Sequence, residues 1–130
     1  MAENADVVNG AYESFGKGDI PGVVETVDGQ VKWDSTESLP QGGSYSGQDG
    51  VVQFFEAVGG AWDGLEVEIE DVVESGDRVV AVGKAQGELR GSGSAGYGFV
   101  HVFELDGGKI VRFREYAAPD ETLRKAEALA

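Results

Sequence analysis

Two apolar runs joined by a tight glycine turn, late in the chain, constrain the fold most. Residues 99–103 and 109–116 flank Asp106-Gly107-Gly108, and such a turn between alternating runs predicts a β-hairpin. If facing residue numbers sum to about 214, period-two alternation gives the hairpin one shared face. The side chains predicted on that face are Phe99, His101, Phe103, Val111, Phe113 and Glu115.

His101, the only histidine of the chain, and Glu115 are the polar members of this face. Because polar groups among apolar ones are costly without a partner or a purpose, the pair is the predicted functional site. A diagonal contact with the carboxylate would select the imidazole tautomer and increase its basicity. Two alternatives stay open: burial lets Glu115 itself act as general acid or base, or the pair is a buried ion pair without chemistry.

The composition is that of an ordinary globular chain, with 41% hydrophobic residues in 130. We therefore expect a single domain over residues 1–130, with residues 117–130 forming either a short helix or a flexible tail. The 24 acidic residues against 10 basic ones give a formal charge of −14. Such a field disfavours nucleic acid and anionic membranes as partners, and it reflects either a solubilising surface or recognition of a basic partner.

Several kinds of site are excluded or disfavoured by residue content. The chain has no cysteine, which excludes disulfides, thiolate nucleophiles and cysteine-ligated metals. One histidine and no calcium-loop pattern predict that there is no metal site. The N-terminal residues lack the pattern of a signal peptide, and no apolar run approaches the roughly 20 residues of a membrane span. We therefore expect a soluble cytoplasmic protein.

Helical spacing dominates the first half of the chain. Apolar residues at i, i+3, i+4 and i+7 predict a helix over residues 4–17. A second helix is predicted after Asp19 as N-cap, with Pro21 in its first turn and Val23, Val24 and Val27 as its apolar stripe. A strand over residues 30–36 and a loop over 37–47 follow.

The third helix and the strands complete the predicted order. Ser46 and Asp49 resemble a capping box for a helix that ends at Gly59-Gly60. Strands are then predicted at residues 65–70, at residues 78–89 and in the final hairpin, with a turn at 75–77. Residues 119–130 are predicted to form a short helix or a tail. This order predicts an α+β domain in which a mainly antiparallel sheet curls around three helices.

Two motif-like patterns have simpler structural explanations. Gly91 to Gly96 spell G-x-G-x-x-G, but a strand follows instead of the helix that a dinucleotide site needs, so we expect a flexible hairpin connection. Glu66, Glu68 and Glu70 alternate with apolar residues, which predicts the solvated side of a strand and not a metal site.

Three stretches carry a family resemblance: residues 12–19, residues 39–47 and residues 106–116. Their order resembles that of the nuclear transport factor two-like superfamily, in particular its SnoaL-like, ketosteroid isomerase-related branch. The resemblance implies a cone-shaped sheet wrapped around three N-terminal helices, a deep apolar pocket and a homodimer formed through the sheet. It does not imply one function, because relatives include isomerases, cyclases, hydrolases, dehydratases and non-catalytic binders.

The resemblance also implies roles for individual residues. Glu115 corresponds to the catalytic acidic residue of SnoaL-like cyclases, and His101 to their pocket histidine. Steroid isomerases have their general base near Trp33, and tryptophan cannot remove a proton, so we do not expect steroid isomerisation by their mechanism. Ala118 stands where relatives often carry a further acidic residue.

The leading hypothesis is therefore an acid–base enzyme of the isomerase, cyclase or lyase type that acts on an apolar cyclic substrate without a cofactor or metal. His101 and Glu115 are its candidate catalytic residues. The alternatives are a non-catalytic module that binds a small ligand, and a dimeric scaffold whose pocket is filled by side chains. The candidate ligand-binding residues are aromatic: Tyr12, Phe15, Trp33, Phe55, Tyr97, Phe99, Phe103 and Phe113.

Overall fold

The first two helices form close to where the sequence predicts them. A computed structural model describes residues 3–36 and 39–117, with helices α1 at Glu3–Gly16 and α2 at Ile20–Val24. Asp19 caps α2 by accepting a hydrogen bond from the Gly22 amide at 3.0 Å, which confirms the predicted cap. The helix is shorter than predicted, because Val27 begins a strand.

The third helix, α3, spans Gly47–Ala61. It continues through the two glycines predicted to stop it and ends where Trp62 adopts an extended backbone. Ser46 is the N-cap residue, but its side chain makes no capping hydrogen bond. The predicted capping box is therefore wrong, although Asp49 lies in the first turn, where its charge favours the helix dipole.

Six strands form one mixed sheet in the order β2-β1-β6-β5-β4-β3. Neighbouring strands are antiparallel except for the parallel pair β1 and β6. The sheet is open and curls against the helices, as expected for the predicted fold class. The strands are β1 (Val27–Ser35), β2 (Gly43–Ser46), β3 (Trp62–Ser75), β4 (Arg78–Leu89), β5 (Gly93–Asp106) and β6 (Lys109–Ala117).

Two strand assignments correct the sequence analysis. Strand β2 lies within the predicted loop 37–47 and is a four-residue edge strand, too short for alternation to reveal. Strand β5 already begins at Gly93, so four of the six residues of the glycine-rich motif are strand and only residues 90–92 connect β4 to β5. The predicted helix or tail at 119–130 lies outside the described residues.

The final hairpin forms, but its register differs from the predicted one. Gly107 and Gly108 have φ angles of 59° and 80°, which only glycine adopts readily, and they make the turn. A bulge after this turn leaves Val111 without a cross-strand partner and pairs His101 directly with Glu115. Ile110 is fully buried in place of Val111, so the prediction that Val111 shares the face of His101 is wrong.

The core lies between the helices and one face of the sheet. It joins Val8 of α1 and Phe54 of α3 to residues of β1, β4, β5 and β6. Gly83 is essential to this packing, because a Cβ atom there would overlap the main-chain oxygen of Glu68 and lie 2.9 Å from Cζ of Phe99. The missing side chain therefore lets the Phe99 ring lie across β4.

The opposite face of the hairpin carries paired charges. Arg114 lies 3.2 Å from Glu104, and Arg112 lies 3.8 Å from Asp34, so both arginines face away from Glu115. Glu66, Glu68 and Glu70 of β3 are exposed, as predicted. Within residues 3–36 and 39–117, no helix is long and apolar enough to span a membrane.

Candidate functional site

A continuous chain of hydrogen bonds joins four side chains in the core. The Tyr12 hydroxyl lies 2.6 Å from Nδ1 of His101, and Nε2 of His101 lies 2.8 Å from Oε2 of Glu115. Ser35 donates from its hydroxyl to Oε1 of Glu115 at 2.6 Å. His101 and Glu115 are each 6% exposed. The predicted pair is therefore in direct contact, and it has a partner at each end.

The sheet register explains this arrangement. Ser35 on β1 pairs with Glu115 on β6, and Glu115 pairs with His101 on β5. The three side chains thus form one row across three adjacent strands, on the face covered by the helices. Tyr12 reaches the end of the row from α1. The chain of hydrogen bonds therefore needs side chains from one helix and three strands that lie far apart in the sequence.

One placement of protons fits all three hydrogen bonds. In it, the Glu115 carboxylate accepts from the Ser35 hydroxyl and from Nε2–H of His101. Nδ1 of His101 then carries a lone pair and accepts from the hydroxyl of Tyr12. The four side chains satisfy one another's polar atoms in this arrangement.

Aromatic rings hold the imidazole in place. Phe99 stacks on His101 with ring centroids 3.9 Å apart, and the Phe113 ring meets it edge-on at 4.9 Å. The Tyr12 ring lies nearly parallel to the imidazole at 5.9 Å. This packing restricts both nitrogens to their present partners.

Tyr12 stays protonated over the physiological pH range. Burial raises the pKa of its hydroxyl well above 10, and the negative charge of Glu115 raises it further. Both effects disfavour the phenolate because it would be an unsolvated anion close to a carboxylate. Tyr12 therefore remains a neutral hydroxyl that can donate a hydrogen bond to Nδ1 of His101.

An apolar cavity of about 60 Å³ lies beside this chain. That is several times the space one buried water needs, but it is small beside the roughly 300–1,000 Å³ of drug-sized sites. The cavity is therefore suited to a compact molecule. The residues that line it are Ala11, Tyr12, Phe15, Val23, Trp33, Gln41, Phe54, Phe55, Val58, Leu65, Val67, Tyr97, His101, Phe103, Phe113 and Glu115.

The structure brings nearly all predicted site residues to this cavity. Both candidate catalytic residues line it, and so do seven of the eight candidate ligand-binding residues. The exception is Phe99, which is fully buried behind the imidazole. A second pocket between the end of α1 and β3 shares Tyr12, Phe15, Leu65 and Val67 with the cavity.

A second polar group at the cavity centres on Gln41, which is 1% exposed. Its Oε1 accepts a hydrogen bond from the Trp62 indole at 3.1 Å, and its Nε2 donates to the Tyr97 hydroxyl at 3.2 Å. The main-chain oxygen of Gln41 accepts from the hydroxyl of Tyr45 at 3.0 Å. Burial raises the pKa of Tyr97, as does the charge of Glu115.

Ser35 and Gln41 belong to the site but are not among the residues predicted for it from the sequence. Ser35 could have been found, because Val31, Trp33 and Ser35 follow the alternation of β1 and all three are buried. No periodic signal could have found Gln41, because it lies in a segment outside helices and strands. Its burial depends on contacts with Trp62 and Tyr97.

Comparison with known proteins places the chain in a family. The family model of the SnoaL-like domain matches residues 8–113, and the protein therefore belongs to the SnoaL-like family. This confirms the resemblance predicted from the sequence. No curated protein matches the chain significantly.

Solved structures agree with this assignment. The chain is 28% identical to a nuclear transport factor two-like protein of unknown function from Burkholderia pseudomallei, covering 95% of this chain and 97% of that one with a TM-score of 0.84. A nuclear transport factor two-like protein from Burkholderia thailandensis is 27% identical, with coverages of 100% and 99% and a TM-score of 0.84. TerC, co-crystallised with polyporic acid, is 26% identical, with coverages of 94% and 96% and a TM-score of 0.81.

Proposed function

We propose that this protein is an acid–base enzyme of the isomerase, cyclase or lyase type, in which Tyr12, His101 and Glu115 transfer protons without a cofactor. The observation that carries the proposal is the hydrogen-bonded chain from Tyr12 through His101 to Glu115, which borders the apolar cavity. A positioned proton-transfer group of this kind typically contributes about 10²–10⁴-fold to a rate.

The geometry supports a relay in which Tyr12 passes the proton on. A proton that leaves the substrate binds the Tyr12 oxygen while the Tyr12 proton moves to Nδ1 of His101. The resulting imidazolium is stabilised by the Glu115 carboxylate 2.8 Å from its Nε2. The reverse transfer delivers a proton to another substrate atom, and the net result is isomerisation, ring closure or elimination.

The concerted character of the relay follows from the raised pKa of Tyr12. A standing phenolate is disfavoured by burial and by Glu115, so loss of the Tyr12 proton has to accompany gain of another. Ser35 contributes by its hydrogen bond to Oε1 of Glu115, which holds the carboxylate in position and compensates part of its desolvation.

The cavity favours a compact, largely apolar ring compound that is neutral when it binds. Its walls are mostly aromatic and aliphatic side chains. An anionic ligand would meet both the buried Glu115 and a chain of formal charge −14. A relative, TerC, has been co-crystallised with polyporic acid, which supports small organic molecules as the class of ligand for this fold.

Deuterium exchange into simple carbonyl compounds tests the proposal. The protein is incubated in D₂O with monocyclic ketones, and exchange at the carbon next to the carbonyl is followed by NMR. We expect the wild-type chain to accelerate exchange for members of this panel, and the variant Glu115→Gln to lose about 10²-fold or more of the acceleration.

Glu68→Gln is the matched control, because it makes the same chemical change on an exposed strand face. It should exchange at the wild-type rate. Equal rates for wild type and Glu115→Gln with every compound would contradict catalysis. Saturable binding without exchange would instead favour the non-catalytic binding module.

The family resemblance further leads us to propose a homodimer formed through the sheet. Sedimentation equilibrium of the full chain tests this separately from the chemistry, and a monomer at all concentrations would contradict it.

A further inference from the structure

The Tyr97 hydroxyl can donate a hydrogen bond into the cavity because Trp62 fixes the orientation of the neighbouring Gln41 amide. The Trp62 indole can only donate, so the Gln41 atom 3.1 Å from it must be the amide oxygen. The amide nitrogen therefore faces Tyr97 and donates to its oxygen at 3.2 Å. Tyr97 accepts in this contact, and its own proton remains free to be donated elsewhere.

Among the described residues, Gln41 is the only hydrogen-bond partner of the Tyr97 hydroxyl, so none of them accepts its proton. Burial and the charge of Glu115 raise the pKa of Tyr97, so the hydroxyl stays protonated. Tyr97 and Gln41 both line the cavity together with Tyr12, His101 and Glu115.

We propose that Tyr97 binds an acceptor oxygen of the ligand and that Gln41, oriented by Trp62, positions it for this role. The inference rests on the proposed function, since it takes the same cavity as the ligand site, and it specifies the substrate class. The ligand is a ring compound that carries a carbonyl or a comparable neutral acceptor oxygen. A ring without such an oxygen leaves this half-buried donor unpaired and binds more weakly.

Two probes that differ in this oxygen test the proposal. Cyclohexanone has a carbonyl acceptor, and methylenecyclohexane has the same ring and an exocyclic double bond without an acceptor. Binding is followed through the indole N–H signals of the two tryptophans. Trp62 is hydrogen-bonded and Trp33 has no partner among the described residues, which separates the two signals.

We expect wild type to bind cyclohexanone about threefold to tenfold more tightly than methylenecyclohexane, as one net hydrogen bond predicts. The variant Tyr97→Phe should lose this preference by weakening only the ketone. Trp62→Phe should lose it as well, although Trp62 does not line the cavity, because the Gln41 amide can then turn its oxygen toward Tyr97 and take up the proton.

Tyr45→Phe is the matched control, since it removes a tyrosine hydroxyl from the main-chain oxygen of Gln41 but leaves the cavity lining intact. It should retain the preference. The absence of any preference in wild type, or an undiminished preference in Tyr97→Phe, would overturn the proposal.

The outcome is separable from that of the catalytic proposal. Glu115→Gln should abolish deuterium exchange and keep the preference for the ketone over the alkene. A preference that depends on Tyr97, in a wild-type chain that catalyses no exchange, would establish the oxygen-binding role and disprove the enzyme. Deuterium exchange that depends on Glu115, without a preference for the ketone, would support the enzyme and disprove the oxygen-binding role of Tyr97.

Discussion

Two rows of side chains in the same sheet show how differently one residue type can behave. On β3, glutamates alternate with apolar residues and point into solvent; Glu68 lies 3.6 Å from Lys84, with side chains 68% and 58% exposed. On β6, Glu115 occupies an equivalent alternating position but is 6% exposed and accepts hydrogen bonds from His101 and Ser35.

The difference follows from which face of the sheet each row occupies. Water around Glu68 screens its charge, so its ion pair contributes little to stability. Glu115 has lost its water and depends on two protein partners, so removing any member of its row leaves a buried polar group unpaired. Alternation alone does not distinguish the two rows. We nevertheless expect removal of a carboxylate to cost several times more unfolding free energy at Glu115 than at Glu68.

Among the substitutions in the two rows, Glu115→Ala should cause the largest loss of unfolding free energy. The change leaves Nε2 of His101 and the Ser35 hydroxyl buried without their acceptor. Breaking a buried pair in this way costs about 3–5 kcal/mol of unfolding free energy, measured by urea denaturation at pH 7. Glu68→Ala serves as the control, and a loss below about 1 kcal/mol for Glu115→Ala would mean that the two rows are equivalent.

Tyr12→Phe should have the next largest effect. It removes the donor to Nδ1 of His101 and leaves a buried acceptor unpaired, at a cost of about 1–3 kcal/mol. The ¹⁵N spectrum of the single imidazole checks the proton placement directly. Neutral wild-type His101 should carry its proton on Nε2, and a spectrum with the proton on Nδ1 would contradict the relay.

Alkaline pH should lower the free energy of unfolding through the two cavity tyrosines, Tyr12 and Tyr97. Their folded pKa values are raised above the ordinary tyrosine value of 10.0, so above that pH the unfolded chain loses protons that the folded chain retains. Stability therefore falls as pH rises from 10 toward the folded pKa values, by up to about 1.4 kcal/mol per tyrosine per pH unit. Urea denaturation at pH 9 and 11 measures this slope.

The double variant Tyr12→Phe with Tyr97→Phe is the comparison for that slope. It should show a smaller loss between the two pH values than wild type, even though it is less stable at pH 9. Equal losses in both proteins would show that the buried tyrosines do not couple to folding.

Glu68→Gln should have the smallest effect, below about 1 kcal/mol. Its ion pair with Lys84 is exposed, so even this small contribution should vanish in high salt. Urea denaturation in dilute buffer and in 1 M NaCl tests this. An equal loss of unfolding free energy in dilute buffer and in 1 M NaCl would show that Glu68 stabilises the fold by something other than an exposed ion pair.

Most of the fold was predictable because its signals are local. The helical spacing of residues 4–17 and the turn at Gly107-Gly108 depend on neighbours a few residues apart. The predictions failed where a short element lacks periodicity, as in β2, and where a bulge shifts the register, as at Val111. Neither leaves a pattern that alternation can detect.

The candidate site was predictable only in part, for a similar reason. His101 and Glu115 were found because both break an apolar pattern within one hairpin. Their link to Ser35 spans 80 positions of sequence, and the link from Tyr12 to His101 spans 89. Gln41 acquires its orientation from Trp62 alone, a contact that no local pattern predicts.

The amino-acid sequence by itself determined the order of the three helices and five of the six strands, the family and the face on which the polar pair lies, since periodicity and turn chemistry act over short distances. Only the tertiary structure decided which atoms meet. The parallel pairing of β1 with β6, the bulge in the hairpin and the approach of α1 bring four side chains into one hydrogen-bonded chain. Hydrogen bonds require partners within about 3 Å, and such distances are set by the packing of the whole domain.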